Sequence, residues 1–289
     1  MRITLCVLGQ KGYQVIESLP DEYLNAIDKV IIGTDRSITN DFSEALTELC
    51  RQKNLNAGQN DSIPLESDYV FAIGWRKMIS VVGKQTLIVL HDSLLPRYRG
   101  FNPLVTALIN GDREIGVTAI YGEETYDTGA IIDVEKLIIE YPITVSEVIE
   151  KMSFCYSILF NRILDKIEQK DVKAVPQDES VATYSLWRDS QDYRINWEWP
   201  SDKIQRMIYA VGNPYNGAKT LVGEKEFTIV SATSLLDRTI ENRDIGKVIF
   251  KENGKPVVVC GKGLLRLDHI LNEEGEQEQF TNQFRLRFT

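Results

Sequence analysis

Thr86-Leu87-Ile88-Val89-Leu90, followed by His91-Asp92-Ser93-Leu94-Leu95-Pro96-Arg97-Tyr98-Arg99-Gly100, decides how the chain is read. The first five residues are an almost unbroken apolar run, as expected of a strand buried on both faces. The next ten hold a histidine, a proline, two arginines and a closing glycine, the composition of a rigid turn. In α/β sheets the strand fixes the backbone and the loop beyond its C-terminal end carries the chemistry. Taken alone, His91 reads more readily as structural than as catalytic. Arg97 and Arg99 suit either a solvated turn or the phosphate or carboxylate of a ligand.

The neighbouring segments extend the same pattern. Ile3–Gly9, Asp28–Gly33 and Asp68–Gly74 are apolar runs closed by glycine and read as strands. Gly12–Leu19 and Asp41–Lys53 read as the helices between them, the second capped by Asn40 or Asp41. This alternation predicts an α/β fold with a Rossmann-like, doubly wound sheet. A dinucleotide site is disfavoured. The first turn, Gly9-Gln10-Lys11-Gly12, lacks the full glycine fingerprint, and only Asp35 is placed as an acidic partner. Gly116–Tyr121 and Ile131–Leu137 read as further strands, and Val145–Gln169 as a long helix with Val148, Met152, Leu159 and Ile163 in its apolar stripe.

Polar residues and Pro176 make 171–182 a linker between a catalytic domain, 1–170, and a C-terminal domain, 183–289. Beyond the linker, one helix (Lys203–Val211) precedes short strand candidates at 218–221, 226–232, 247–250, 256–260 and 263–270. Short strands broken by Gly and Asn predict a small β-rich domain, an OB-like barrel.

The chain has 289 residues, 43% of them hydrophobic, enough for this two-domain architecture. Its net charge of −9 argues against a nucleic-acid partner, which calls for a basic face. Cys6, Cys50, Cys155 and Cys260 show no paired spacing, and the only histidines are His91 and His269, so no metal site is expected. Buried free thiols and the lack of a signal-peptide pattern or a spanning apolar run give a cytoplasmic expectation, with no membrane partner.

Downstream, Asp127-Thr128-Gly129 reads on composition as an ordinary turn aspartate. Together the segments resemble the N10-formyltetrahydrofolate-dependent formyltransferases, through His91-x-Ser93-Leu94-Leu95-Pro96-x-x-Arg99-Gly100, Asn110-Gly111-Asp112, Gly116-Val117-Thr118 and Asp127-Thr128-Gly129. Ala182-Thr183-Tyr184, Arg188, Asp192, Ile195-Asn196-Trp197 and Met207–Ala218 extend the resemblance past the linker, and it is weakest over the last thirty or so residues. It implies formyl transfer from N10-formyltetrahydrofolate to an amine. His91 would stabilise the oxyanion or move a proton, and Asp127 would orient His91 and handle protons. It places the pterin against Lys77, Met78 and Ile79 and against the loop Glu123, Glu124, Thr125 and Tyr126, although Met78 and Ile79 also read as ordinary core. Arg97 and Arg99 would serve a diphosphate.

One family residue is absent. The asparagine expected two positions before the histidine is Val89 here, which cannot donate a hydrogen bond. Three readings stay open: another donor, such as His91 or a backbone N–H; an altered site involving Asp92; or folate binding without turnover. Among acceptors, the net charge of −9 disfavours tRNA, and the two-domain length, the Arg188/Asp192/Trp197 pattern and the Asp92 that follows His91 resemble the nucleotide-sugar branch. That branch implies a UDP- or dTDP-linked 4-amino-4,6-dideoxy sugar, a place in surface-glycan or lipopolysaccharide biosynthesis, and a homodimer. Methionyl-tRNA is the alternative acceptor. Trp187, Tyr193, Trp197, Trp199 and Tyr215 form an aromatic set that reads as core more than as ligand surface.

Overall fold

The computed structural model describes residues 1–289 apart from 60, 61, 65, 82, 281, 282 and 284. Two compact units divide the chain. The first comprises Met1–Leu104, Arg113–Ile139 and Glu147–Trp187, and the second Val105–Asp112, Glu140–Ser146 and Arg188–Thr289.

The chain begins with β1 (Ile3–Val7), α1 (Gly9–Glu17), α2 (Asp21–Leu24), β2 (Ile27–Ile32), α3 (Ser43–Gln52), β3 (Ala57–Gln59), β4 (Tyr69–Ile73) and β5 (Thr86–His91). It continues through β6 (Arg99–Gly100), α4 (Pro103–Asn110), β7 (Glu114–Tyr121), β8 (Ile131–Ile138), α5 (Val145–Glu168) and β9 (Tyr184–Ser185). Seven strands form one sheet in the order β3-β2-β1-β4-β5-β7-β8. The pairs from β3 to β5 are parallel, whereas β7 and β8 run antiparallel. The Rossmann-like sheet expected from the sequence is therefore mixed. Strand order reverses between β1 and β4, the switch point at which such sheets open a crevice. All five residues of β1 are buried, as its continuous apolar run requires.

Three details depart from the sequence reading. Helix α1 begins at Gly9 rather than Gly12, so the glycine-lysine turn after β1 is its first turn. Gly12 lies against β1, where a Cβ would fall 2.8 Å from the Val7 Cβ; only glycine lets the helix pack that closely. The three-residue edge strand β3 carries no apolar run and was not legible from pattern. The segment 171–182 is part of the first unit: Val175 exchanges two 2.8 Å backbone hydrogen bonds with Ile131, and β9 pairs with β6.

In the second unit, α6 (Ser201–Ala210) is followed by β10 (Ala218–Val222), β11 (Lys225–Leu235), β12 (Val248–Glu252), β13 (Lys255–Val259) and β14 (Leu264–Leu271). These strands form an antiparallel sheet in the order β10-β11-β14-β13-β12. The β12–β13 hairpin turns on Asn253-Gly254, both at positive φ, the chemistry a tight two-residue turn demands. Backbone bridges Val222–Phe288 and Lys247–Arg287 put the chain's last residues between the two edges, closing them as a barrel requires. Trp197 lies in the core of this unit, its ring 5.8 Å from that of Phe288 and its indole N–H donating to Thr220 Oγ1 at 3.1 Å.

All four cysteines are buried, and burial pushes the Cys6 and Cys260 thiols up to about 12, so they stay protonated. Among the described residues, no helix is long and apolar enough to cross a membrane.

Candidate active site

Strand β5 delivers His91 as its last, buried residue. Its Nε2 lies 2.9 Å from the carbonyl oxygen of Tyr98. A carbonyl can only accept, so this contact assigns a proton to Nε2. Nδ1 faces Asp127 Oδ1 at 3.4 Å, and Asp127 Oδ2 accepts from the Gly100 N–H at 2.8 Å. Nδ1 is thus the ring nitrogen not committed to a carbonyl, and the Asp127 carboxylate is the group facing it.

The motif residues build the frame around this pair. Thr118 Oγ1 donates to the Ser93 carbonyl at 2.6 Å and accepts from the Leu95 N–H at 3.1 Å. Ser93 Oγ donates to the Arg97 carbonyl at 2.6 Å. At Gly116 a Cβ would fall 2.3 Å from the Glu135 carbonyl oxygen and 2.5 Å from Leu94, which explains the glycine of Gly116-Val117-Thr118. Gly129 is required just as strongly, since a Cβ there would lie 1.8 Å from the Tyr121 carbonyl oxygen. Asp127 itself is left-handed, at φ 57°.

Arg99, expected at a ligand, faces the opposite way. Its side chain is 1% exposed, and its guanidinium holds Glu179 through two nitrogens at 2.6 and 2.8 Å and Gln177 Oε1 at 2.8 and 3.1 Å. A buried guanidinium needs such a carboxylate, and that requirement outweighs any surface role. Arg97 is exposed and lies over the Tyr98 ring, donating to its hydroxyl at 2.9 Å. Lys77 and Met78 are exposed, whereas Ile79 packs against the buried cluster of Cys6, Ile31 and Val70. Glu123, Glu124, Thr125 and Tyr126 are exposed, and Tyr126 pairs with Phe101 at 5.9 Å between ring centres.

Two groups escaped sequence reading. The first is the 177–185 strap, in which Thr183 takes the Tyr98 N–H on Oγ1 and the Arg99 N–H on its carbonyl, each at 2.9 Å. Its polar, aperiodic residues look like a linker. The second is a largely enclosed cluster at the end of β5, with Tyr156 buried and Lys11 and Asp92 partly so. Asp92 is ion-paired with Lys11 from α1 and accepts at 2.7 Å from the Tyr156 hydroxyl on α5. Burial opposes ionisation of Asp92, but the Lys11 ammonium and the tyrosine hydroxyl outweigh it and hold the carboxyl below its ordinary range. Burial, and then the Asp92 charge, raise the Tyr156 phenol well above its own. Val89, on the His91 face of β5, is in register with Ala72 and Ile120, three apolar side chains with no donor among them.

This geometry can be set beside known proteins. The profile of the "Formyl transferase" family matches residues 38–164, and that of "Formyl transferase, C-terminal domain" matches residues 188–285. The chain belongs to the formyltransferase family. As a member, it is a formyl-transferring enzyme. Its fold is similar to that of WlaRD, a sugar 3N-formyl transferase solved with dTDP and 5-N-formyl-THF, with TM-score 0.71, 20% identity, and 92% of this chain and 96% of that one covered. It is also similar to an N-formyltransferase from Helicobacter canadensis in complex with folinic acid and dTDP-3-aminofucose, with TM-score 0.71, 18% identity, and 93% and 99% covered. The methionyl-tRNA formyltransferase from Clostridium thermocellum superposes less well, with TM-score 0.55, 19% identity, and 89% and 95% covered.

Proposed function

We propose that this formyltransferase moves the formyl group of N10-formyltetrahydrofolate to the amino group of a nucleotide-linked amino-sugar. The observation that carries the reading is the His91–Asp127 pair, a couple able to handle a proton at a strand end. Two further facts support the acceptor class: the net charge of −9, unfavourable for tRNA, and the stronger fold likeness to the dTDP-sugar enzymes.

Phe101 and Tyr126, next in sequence to Gly100 and Asp127, pair their rings and are 43% and 53% exposed, an apolar surface that suits a flat heteroaromatic donor. When bound, the donor supplies an electrophilic formyl carbon. His91 supplies Nδ1, whose single N–H in the protonated ring is turned from Asp127 toward the carbonyl oxygen as negative charge grows there. Asp127, released from that contact, takes up the proton freed as the acceptor amine forms its bond to carbon. The same proton returns to the departing nitrogen, so none is gained or lost overall. Since the Val89 face offers no side-chain donor, His91 carries the oxyanion role by itself in this reading.

The test incubates the full chain with N10-formyltetrahydrofolate and, in parallel, dTDP- and UDP-linked 3-amino and 4-amino dideoxy sugars and methionyl-tRNA. Mass spectrometry of the products reads the outcome. A formylated sugar is expected. Formylation of the tRNA alone overturns the acceptor, and donor binding without any product overturns the reaction.

A further inference from the structure

Asp127 is held by its backbone as well as by its carboxylate, and the residue that holds it lies fifty positions downstream. Gln177 Nε2 donates to the carbonyl oxygens of both Asp127 and Gly129, each at 2.8 Å. Its Oε1 accepts from Arg99 Nε at 3.1 Å and Nη2 at 2.8 Å. The side-chain amide is therefore saturated, with both donors spent on the aspartate turn and the oxygen spent on a guanidinium. Arg99 is fixed in turn by the two-nitrogen contact with Glu179, and its own backbone is paired in the β6–β9 ladder. Asp127 sits at φ 57°, a conformation that a non-glycine residue keeps only when its surroundings impose it. The two Gln177 contacts supply that constraint from one side, and the Gly100 N–H on Oδ2 supplies it from the other. Arg99 and Gly100 are adjacent, so a single two-residue strand sets both clamps.

We infer that Gln177 is a positioning residue for formyl transfer: locked by Arg99 and Glu179, it fixes the left-handed Asp127 turn and so sets the distance from the carboxylate to His91 Nδ1. The inference rests on the role given above to the His91–Asp127 pair, and it does not depend on which amine is formylated. Gln177 touches no reacting group. It acts through the backbone of a residue that does, and a shift of about an ångström in such a residue costs on the order of 10²-fold in rate.

The experiment uses the full chain with Gln177→Met, which keeps length and volume but removes every donor, Gln177→Asn, which keeps the amide but is one methylene short, and Val175→Ala as a control two residues before it. Two readouts are taken. In the first, kcat and KM are measured with the accepted amine. Gln177→Met lowers kcat on the order of 10–100-fold with KM for both substrates unchanged, Gln177→Asn recovers part of the loss, and Val175→Ala matches wild type. The second readout needs no substrate: nitrogen-detected NMR at one fixed pH follows the ring nitrogens of the two histidines, assigned with His269→Gln. The His91 Nδ1 signal moves in Gln177→Met in the same direction as in Asp127→Asn, and the His269 signals stay in place. If Gln177→Met does not fold, Gln177→Asn carries the same spectroscopic test. An unmoved His91 Nδ1 signal, or a wild-type kcat, overturns the inference. A moved signal in a protein that formylates no amine shows that Gln177 sets the His91–Asp127 geometry but overturns its part in formyl transfer together with the function proposed above.

Discussion

His91 and Asp92 are consecutive, yet they belong to different parts of the molecule. Successive side chains at a strand's end leave on opposite sides of the sheet. His91 turns to Tyr98 and Asp127, next to the exposed Phe101–Tyr126 pair. Asp92 turns to Lys11 and Tyr156 and ties the end of β5 to α1 and α5. Both are titratable and both are largely enclosed. The difference lies in the partners. Asp92 meets a full cation and a hydroxyl that together fix its charge. His91 meets a carbonyl on one nitrogen and a 3.4 Å carboxylate on the other, which leaves one nitrogen able to exchange a proton. A neutralised cluster is suited to anchoring, and an incompletely satisfied pair is suited to the proton handling proposed for it.

That contrast breaks most directly at His91. His91→Ala is expected to lower kcat on the order of 10³-fold with the melting temperature little changed, as measured by steady-state kinetics and calorimetry. Asp127→Asn follows the same pattern with a somewhat smaller loss. Full activity in Asp127→Asn would remove it from proton handling.

The anchoring side breaks in the opposite sense. Lys11→Met leaves Asp92 buried without its cation and is expected to cost about 3–5 kcal/mol in chemical denaturation. Turnover per folded molecule stays near wild type. A Lys11→Met protein as stable as wild type but inactive would move Lys11 to the reacting side.

The pH dependence sharpens the same point. The Asp92 pKa is lowered in the fold, so its contribution to stability is present above the ordinary carboxylate value near pH 4 and is lost as pH falls below it. The Tyr156 pKa is raised, so its contribution is present below about pH 10 and is lost as pH rises beyond that. Melting temperature against pH should therefore fall at both ends, and Asp92→Asn should flatten the acid limb.

The smallest effect is expected at Val89. Val89→Asn places an amide on the His91 face at a strand end and should keep the fold within about 1 kcal/mol of wild type by denaturant titration. A large loss of stability would show that this face is sealed core.

Some of this was legible in the residues. Ile3–Val7 carries its burial in its composition, because a strand covered on both faces must be apolar throughout; Thr86–Leu90 reads the same way, but only Ile88 and Leu90 of these five are buried and the other three are half-buried. The histidine and aspartate motifs carried the family resemblance, and it was that resemblance that paired His91 with Asp127. The C-terminal strands were visible because they are short and broken by Gly and Asn. Arg99 was not. A guanidinium near a strand end has the same sequence appearance whether it meets a ligand or a buried carboxylate, and Glu179 lies eighty residues away. Nor was Gln177, whose polar, aperiodic surroundings look like a linker until the backbone of Val175 is seen paired with Ile131.

The sequence by itself determined most of the strands and the family, because burial pattern and motif order are local properties of the chain. Only the tertiary structure decided which polar residues are committed to a partner and which keep an atom free. That choice depends on the partner each side chain finds across the sheet, and a charge is committed or available according to what surrounds it.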